Sequence, residues 1–181
     1  MDPFALLGAP RRFDLDLSVL EKTHRELSRA LHPDKFAQAS ASERRAALEK
    51  AANVNEAWRI VRDPIRRAEA LFTVAGIKVG ETNEPKASPA FLMDVLEERE
   101  ALAEARTAKN MAKVRSLGEK MEGRSKEAER KLARGIETAF AGREETPDRA
   151  TLETVLPVLG ELRFYKRFLD EVSAIEEEEA S

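Results

Sequence analysis

The sequence predicts an all-α chain made of two helical modules. Three observations carry this expectation. Apolar residues recur at helical spacing along almost the whole chain, and strand-like alternation is nearly absent. The strong helix formers Ala, Leu, Glu, Lys and Arg dominate. Capping side chains and prolines punctuate the chain at intervals that suit helices.

Taken in order, residues 2–7 are expected to form a short helix, closed by Gly8 and Pro10. The next helix is expected near Asp16, running to about His32, with a loop from Pro33 to about Ser40. Ser40 and Glu43 have capping-box spacing and should start a helix that ends at Asp63-Pro64. A short helix should cover about 65–75. The stretch GIKVGETNEPKAS, rich in Gly and polar residues, reads as a linker. Ser88-Pro89 supplies an N-cap followed by proline at the first helical position. A long helix should then reach about Thr107, and another about Phe140. Thr146-Pro147 is expected to open the last helix, with a bend at Pro157. The final EEEEAS reads as a solvated, frayed tail. This gives an N-terminal module over 1–75, a linker at 76–87 and a C-terminal module over 88–181.

Composition narrows the function. The chain has 181 residues, 36% of them charged, with a net charge of only −3. Residues 1–75 are net +2 and residues 76–181 net −5, without a long basic block, so nucleic acid is not an expected partner. No Cys is present and only two His, which argues against a disulfide framework, a Cys-held cluster or a metal site. The start, MDPFALLGAP, lacks the look of a signal or transit peptide, and no run approaches 18 apolar residues. A cytoplasmic, non-membrane protein is expected. There is no nucleophile–base pair and no phosphate-cradling Gly loop. The chain therefore reads as a non-enzyme without a cofactor.

On the 16–32 helix, Leu20, His24, Leu27 and Leu31 share one stripe, and Lys22, Arg25 and Arg29 share the opposite one. The apolar stripe can bury against Leu48, Ala51, Val54, Trp58 and Val61 of the following helix. The basic stripe is left in water, with Glu21–Arg25 and Lys22–Glu26 as possible pairs. His24 lies on the buried stripe and reads as a core or boundary residue. His32-Pro33-Asp34 stands apart because of its place. Pro33 must end the helix, which leaves His32 and Asp34 at the tip of a helical hairpin beside the basic stripe. Helix-stop chemistry accounts for Pro33, but it does not ask for His and Asp.

On the helix from Pro89, Phe91, Val95 and Leu102 form one apolar stripe, and Leu92, Met93 and Leu96 a second, rotated by roughly 90° or more. The second face turns acidic at Glu97, Glu100 and Glu104. One stripe can close a three-helix bundle. The other is either buried too or an exposed binding patch.

Residues 1–75 resemble a J domain, whose defining motif is the HPD tripeptide between two helices. "FALLG", "LHPDKFA", "NEAW", "DPIRRAEALF" and "FLMDVLEEREAL", in that order, resemble the HscB family of J-type co-chaperones. Leu31 stands where many J domains carry Tyr. The paired CxxC module of eukaryotic relatives is missing, which suggests a bacterial-type protein. The resemblance implies a J domain followed by a C-terminal helical bundle. It implies contact with an HscA/DnaK-type heat-shock chaperone, and stimulation of its ATPase, through His32, Pro33, Asp34, Lys22, Arg25, Arg29 and Lys35. It also implies that an IscU-type iron–sulfur scaffold protein binds at Leu92, Met93, Leu96, Glu97, Arg99, Glu100 and Glu104. Phe164 on the last helix lies off the Leu152/Leu156/Leu159 stripe and is expected to join them. The implied role is in iron–sulfur cluster assembly and transfer. The alternative is a general J-protein delivering unfolded clients to a DnaK-type chaperone.

Overall fold

The computed structural model describes residues 1–79, 88–143 and 146–180. It is all-α, with seven helices and no strand among the described residues. These are α1 (Pro3–Leu7), α2 (Leu17–Ala30), α3 (Ala41–Arg62), α4 (Pro64–Val74), α5 (Pro89–Thr107), α6 (Met111–Phe140) and α7 (Arg149–Ala180); a single 3-10 turn, Pro33–Phe36, sits between α2 and α3. The chain divides into two compact units, Met1–Lys78 with Phe140–Asp148, and Val79–Ala139 with Arg149–Ser181. Most of the linker expected at 76–87 lies outside the described residues.

The helix starts follow from local chemistry. Asp2, Asp16, Ser40, Asp63 and Ser88 each take an extended backbone and turn a side-chain oxygen onto the first free amides of the helix they open. Ser40 and Glu43 complete the capping box in both directions. Burial would raise the Asp2 carboxyl, but the bonds it accepts from Arg11, Ala5 and Phe4 hold it below the usual range. Gly8 closes α1 at φ 62°, a left-handed conformation that glycine adopts without strain.

Several ends differ from expectation. α2 stops at Ala30, with Leu31 as its cap, because Pro33 forces His32 out of helical dihedrals. α7 begins at Arg149 and not at Thr146-Pro147. It then runs through Pro157 to Ala180, and its buried stripe keeps phase on both sides of the proline, from Leu152, Leu159 and Leu162 to Phe168, Val172 and Ile175. The acidic end is not frayed as far as Ala180. Glu176 pairs with Arg115 at 3.2 Å and Glu178 with Arg106 at 2.8 Å. Leu48, expected in the α2–α3 seam, is exposed.

In the first unit, α2 and α3 are held in register by His24. Its Nε2 shares a 2.9 Å hydrogen bond with Asn55 Oδ1, and its ring stacks on Trp58 at 5.5 Å. The core gathers Phe4, Leu7, Val54, Ala57, Val61, Leu71 and Phe72. Arg67 is buried beside it. Pro64 lacks an N–H, and the amides of Ile65 and Arg66 turn to the Asp63 carboxylate. The last carbonyls of α3 thus lose their helical donors. Arg67 replaces them: Nε donates to the Val61 carbonyl at 2.6 Å and Nη2 to that of Arg62 at 3.5 Å, while Nη1 reaches the Phe13 carbonyl at 2.6 Å. The guanidinium also lies over the Phe13 ring, 5.2 Å from its centroid.

The second unit is a three-helix bundle whose directions follow from its cross-links. Asp94–Arg124 and Glu98–Lys120 make α5 and α6 antiparallel. Phe91–Phe164, Arg99–Glu171 and Arg106–Glu178 make α5 and α7 parallel. α6 approaches α7 closely at Gly135, where any Cβ would run into the Val155 side chain.

Arg67→Met should leave buried backbone acceptors unpaired at about 1–3 kcal/mol each, for a total loss of roughly 2–5 kcal/mol, read by urea unfolding. Arg67→Lys should fall between, since one ammonium cannot span three carbonyls in this arrangement. Gly135→Ala should destabilise the bundle by about 1–3 kcal/mol through the clash, although alanine is the better helix former. Adding Val155→Ala should recover part of the Gly135→Ala loss; additive losses would show that the two sites do not touch.

Candidate interaction surfaces at the hairpin tip and on α5

The first surface is the tip between α2 and α3. His32 caps the 3-10 turn: its Nδ1 accepts the Asp34 backbone N–H at 3.4 Å, a long contact. Asp34 Oδ2 also lies 3.4 Å from Nδ1. When Nδ1 accepts the amide, the ring proton of a neutral imidazole sits on Nε2, so the tip offers one donor and one carboxylate to its surroundings. Both side chains are open to solvent, His32 at 59% and Asp34 at 89% exposure. Pro33 and Lys35 are exposed beside them. Little of the fold depends on these groups.

Lys22, Arg25 and Arg29 are all exposed along α2, as their stripe requires. Arg25 pairs with Glu21 at 2.5 Å. The Lys22–Glu26 pair is absent among the described residues. Arg29 lies in the last turn of α2, where a cation suits the helix dipole. The exposed stripe of α2 and the tip that follows it therefore carry four cations, Lys22, Arg25, Arg29 and Lys35, with one imidazole beside the Asp34 carboxylate.

The second surface is on α5, and the rotation of that helix creates it. Asp94 and Glu98 face α6. Arg124 binds Asp94 at 2.6 Å and lies 3.7 Å from Glu98, which Lys120 also pairs. Glu98 is buried, so this network must be kept closed. Burial alone would lower the Arg124 guanidinium, but Asp94 and Glu98 outweigh it and raise it. On the α7 side, Phe91 meets Phe164 and Tyr165 edge to face at 5.8 and 5.9 Å. Burial pushes the Tyr165 phenol up, and Glu161 adds to the shift.

With Phe91, Asp94, Val95, Glu98 and Leu102 turned inward, the opposite arc has no cover within the described unit. Leu92, Met93 and Leu96 are 55%, 61% and 53% exposed. Glu97, Arg99, Glu100 and Glu104 are exposed next to them, and Arg99 reaches Glu171 at 3.9 Å. The two apolar stripes of α5 thus have different fates, one buried and one open. Phe164 is the exception among the expected residues. It is only 9% exposed and packs on Phe91, Tyr165 and Phe168 in the bundle interior. The correction has a simple cause. α7 packs against both other helices, so its buried arc is wider than the single stripe seen in the sequence.

No group of three metal-ligating side chains occurs among the described residues, and no described helix is long and apolar enough to cross a membrane. Sequence reading missed the role of Arg67 and of the Asp94–Arg124–Glu98–Lys120 network. The i, i+4 spacing of Asp94 and Glu98 on the buried side of α5 was the signal for the second.

Removing Leu92, Met93 and Leu96 together as alanines should leave the melting temperature near that of the wild type, because these side chains lie outside the core. Phe164→Ala should cost about 3–5 kcal/mol. A thermal melt of the two variants checks both expectations, and an early melt of the triple variant would return the patch to the core.

Known proteins share this architecture. The family model described as the HSCB C-terminal oligomerisation domain matches residues 87–173. A "Co-chaperone protein HscB homolog" of Paraburkholderia phymatum is 41% identical over 108 residues, 60% of this chain and 62% of that protein, so the match spans less than two thirds of its length. Its counterpart in Bordetella avium is 40% identical over 137 residues, 76% of this chain and 80% of that one. The structure of chaperone HscB from Vibrio cholerae superposes with a TM-score of 0.82 at 29% identity, covering 98% of this chain and 99% of its own. The crystal structure of human co-chaperone protein HscB gives a TM-score of 0.83, covering 97% and 82%; at 23% identity it speaks to the fold alone.

Proposed function

Since the chain belongs to the HscB co-chaperone family, we propose that it is a cytoplasmic adaptor linking an IscU-type iron–sulfur scaffold protein to an HscA/DnaK-type heat-shock chaperone. The N-terminal unit is then a J domain. Lys22, Arg25, Arg29 and Lys35 steer it to an acidic surface of the chaperone ATPase. His32, Pro33 and Asp34 favour the hydrolysis-competent state of that ATPase by binding it better than the other state. The C-terminal unit holds the scaffold protein on Leu92, Met93 and Leu96, bordered by Glu97, Arg99, Glu100 and Glu104. One chain that binds both partners raises the effective concentration of the scaffold at the chaperone. The adaptor performs no bond chemistry of its own, and its place is in iron–sulfur cluster assembly and transfer.

One observation carries this reading. In each unit, the side chains that the family resemblance singled out are exposed, with Phe164 the one exception. A histidine and an aspartate stand at a turn that hardly uses them. Three large apolar side chains stand on a helix whose other apolar stripe is buried.

The test is a steady-state ATPase assay of the chaperone, with scaffold affinity measured by calorimetry on the same variants. His32→Gln and Asp34→Asn should each abolish stimulation while scaffold affinity and helical content persist. The Leu92/Met93/Leu96 alanine variant should bind the scaffold at least about tenfold more weakly, a difference of about 1.4 kcal/mol. Undiminished stimulation by both tip variants would remove the J-domain function. Undiminished affinity in the patch variant would remove the scaffold from α5.

A further inference from the structure

We infer that Met93 is an oxidation site through which a peroxide weakens docking of the scaffold protein, an inference that rests on the scaffold-binding reading of the α5 patch. The chain has no cysteine, so its four methionine thioethers are its only sulfur. Met121 is fully buried and Met111 half-buried. Met1 is exposed but belongs to the other unit. Met93 is 61% exposed, in the middle of the patch.

The step is a two-electron oxidation of sulfur. The thioether lone pair attacks one oxygen of hydrogen peroxide; the S–O bond forms as the O–O bond breaks, and the proton on the attacked oxygen passes to the departing hydroxide, which leaves as water. A flexible apolar side chain becomes a polar sulfoxide whose oxygen accepts hydrogen bonds. In the free protein, water satisfies that oxygen. Under an apolar partner it must be desolvated, and this is unfavourable unless a donor meets it. On the helical wheel, Met93 lies inside the acidic border, between Glu100 and Glu104, with Glu97 beyond and Leu96 and Leu92 on the other side of Glu100. Ionised carboxylates only accept, so that border offers the sulfoxide no donor. The side chain lies outside the core, so oxidation leaves the bundle standing and a methionine sulfoxide reductase can reverse it.

The experiment treats the full chain with hydrogen peroxide, removes the oxidant, locates added oxygen by peptide mass spectrometry and measures scaffold affinity by calorimetry. Met93 should oxidise ahead of Met111 and Met121. Affinity should fall about tenfold with an unchanged thermal melt, and enzymatic reduction should restore it. Met93→Leu, whatever its starting affinity, should lose no more on peroxide treatment. Fully oxidised Met93 with undiminished affinity overturns the inference, as does an equal peroxide-induced loss in Met93→Leu. The Leu92→Ala/Leu96→Ala variant separates the two claims. If it binds weakly while oxidation has no effect, the patch stands and the switch falls; if it binds normally, the patch reading falls and the switch with it.

Discussion

Proline set directly behind a capping side chain is the constraint on which this architecture depends. Asp2-Pro3, His32-Pro33, Asp63-Pro64 and Ser88-Pro89 each open a helical segment. Proline has no amide to give to a preceding turn, and it pushes the residue before it out of helical dihedrals. That residue's side chain then folds back onto the free amides. In a chain so rich in helix formers, this pair sets where a helical segment starts at four places, while Lys109 at φ 51° makes the break between α5 and α6 without a proline. The hairpin tip is the same device with one substitution. Asp63, Asp2 and Ser88 make their nearest cap contacts at 2.9, 3.0 and 3.1 Å, whereas His32 makes its own at 3.4 Å. Histidine is the poorest cap of the four. Its presence is better explained by what it shows to solvent than by the turn it closes.

Each break leaves backbone groups to be satisfied elsewhere. At Asp63-Pro64 the orphaned acceptors at the end of α3 are met by Arg67, from one turn into the next helix. The same guanidinium holds the chain at Phe13, far away in sequence. A local interruption is thus converted into a tertiary tie. In the bundle, the comparable tie is the buried Glu98 carboxylate between Lys120 and Arg124. It sets the rotation of α5, because turning the helix would strand that charge away from its partners. The orientation of the exposed patch is a consequence of where the carboxylates must point.

Apart from Pro33, which ends α2, and His32, whose cap contact is long, the side chains proposed to meet partners lie outside the buried contacts of either unit. The tip is exposed because a proline ends α2 there. The α5 patch is exposed because two acidic residues and one apolar stripe already define the inside of the helix. The stabilising contacts and the surfaces proposed to bind lie on different faces of the same helices, so a change on one face need not disturb the other.

Much of this was determined by the sequence alone. Most helix starts were legible because a capping residue and a proline act within a few residues, although Thr146-Pro147 did not open α7, which starts at Arg149. The separation of Lys22, Arg25 and Arg29 from Leu20, Leu27 and Leu31 followed from the 100° step of the helix. The HPD tripeptide was legible as an exposed tip because Pro33 leaves no other geometry. Only tertiary structure decided the rest. Periodicity showed two apolar stripes on α5 but not which one the neighbouring helices would cover, since that depends on charges on α6. Phe164 went inside because α7 packs against two helices, and the width of a buried arc is set by its neighbours. The continuation of α7 to Ala180 came from Arg106 and Arg115, cations more than 60 residues away from their glutamates. Local rules reach a turn or two along the chain; burial and pairing are settled by whichever surfaces the bundle brings together.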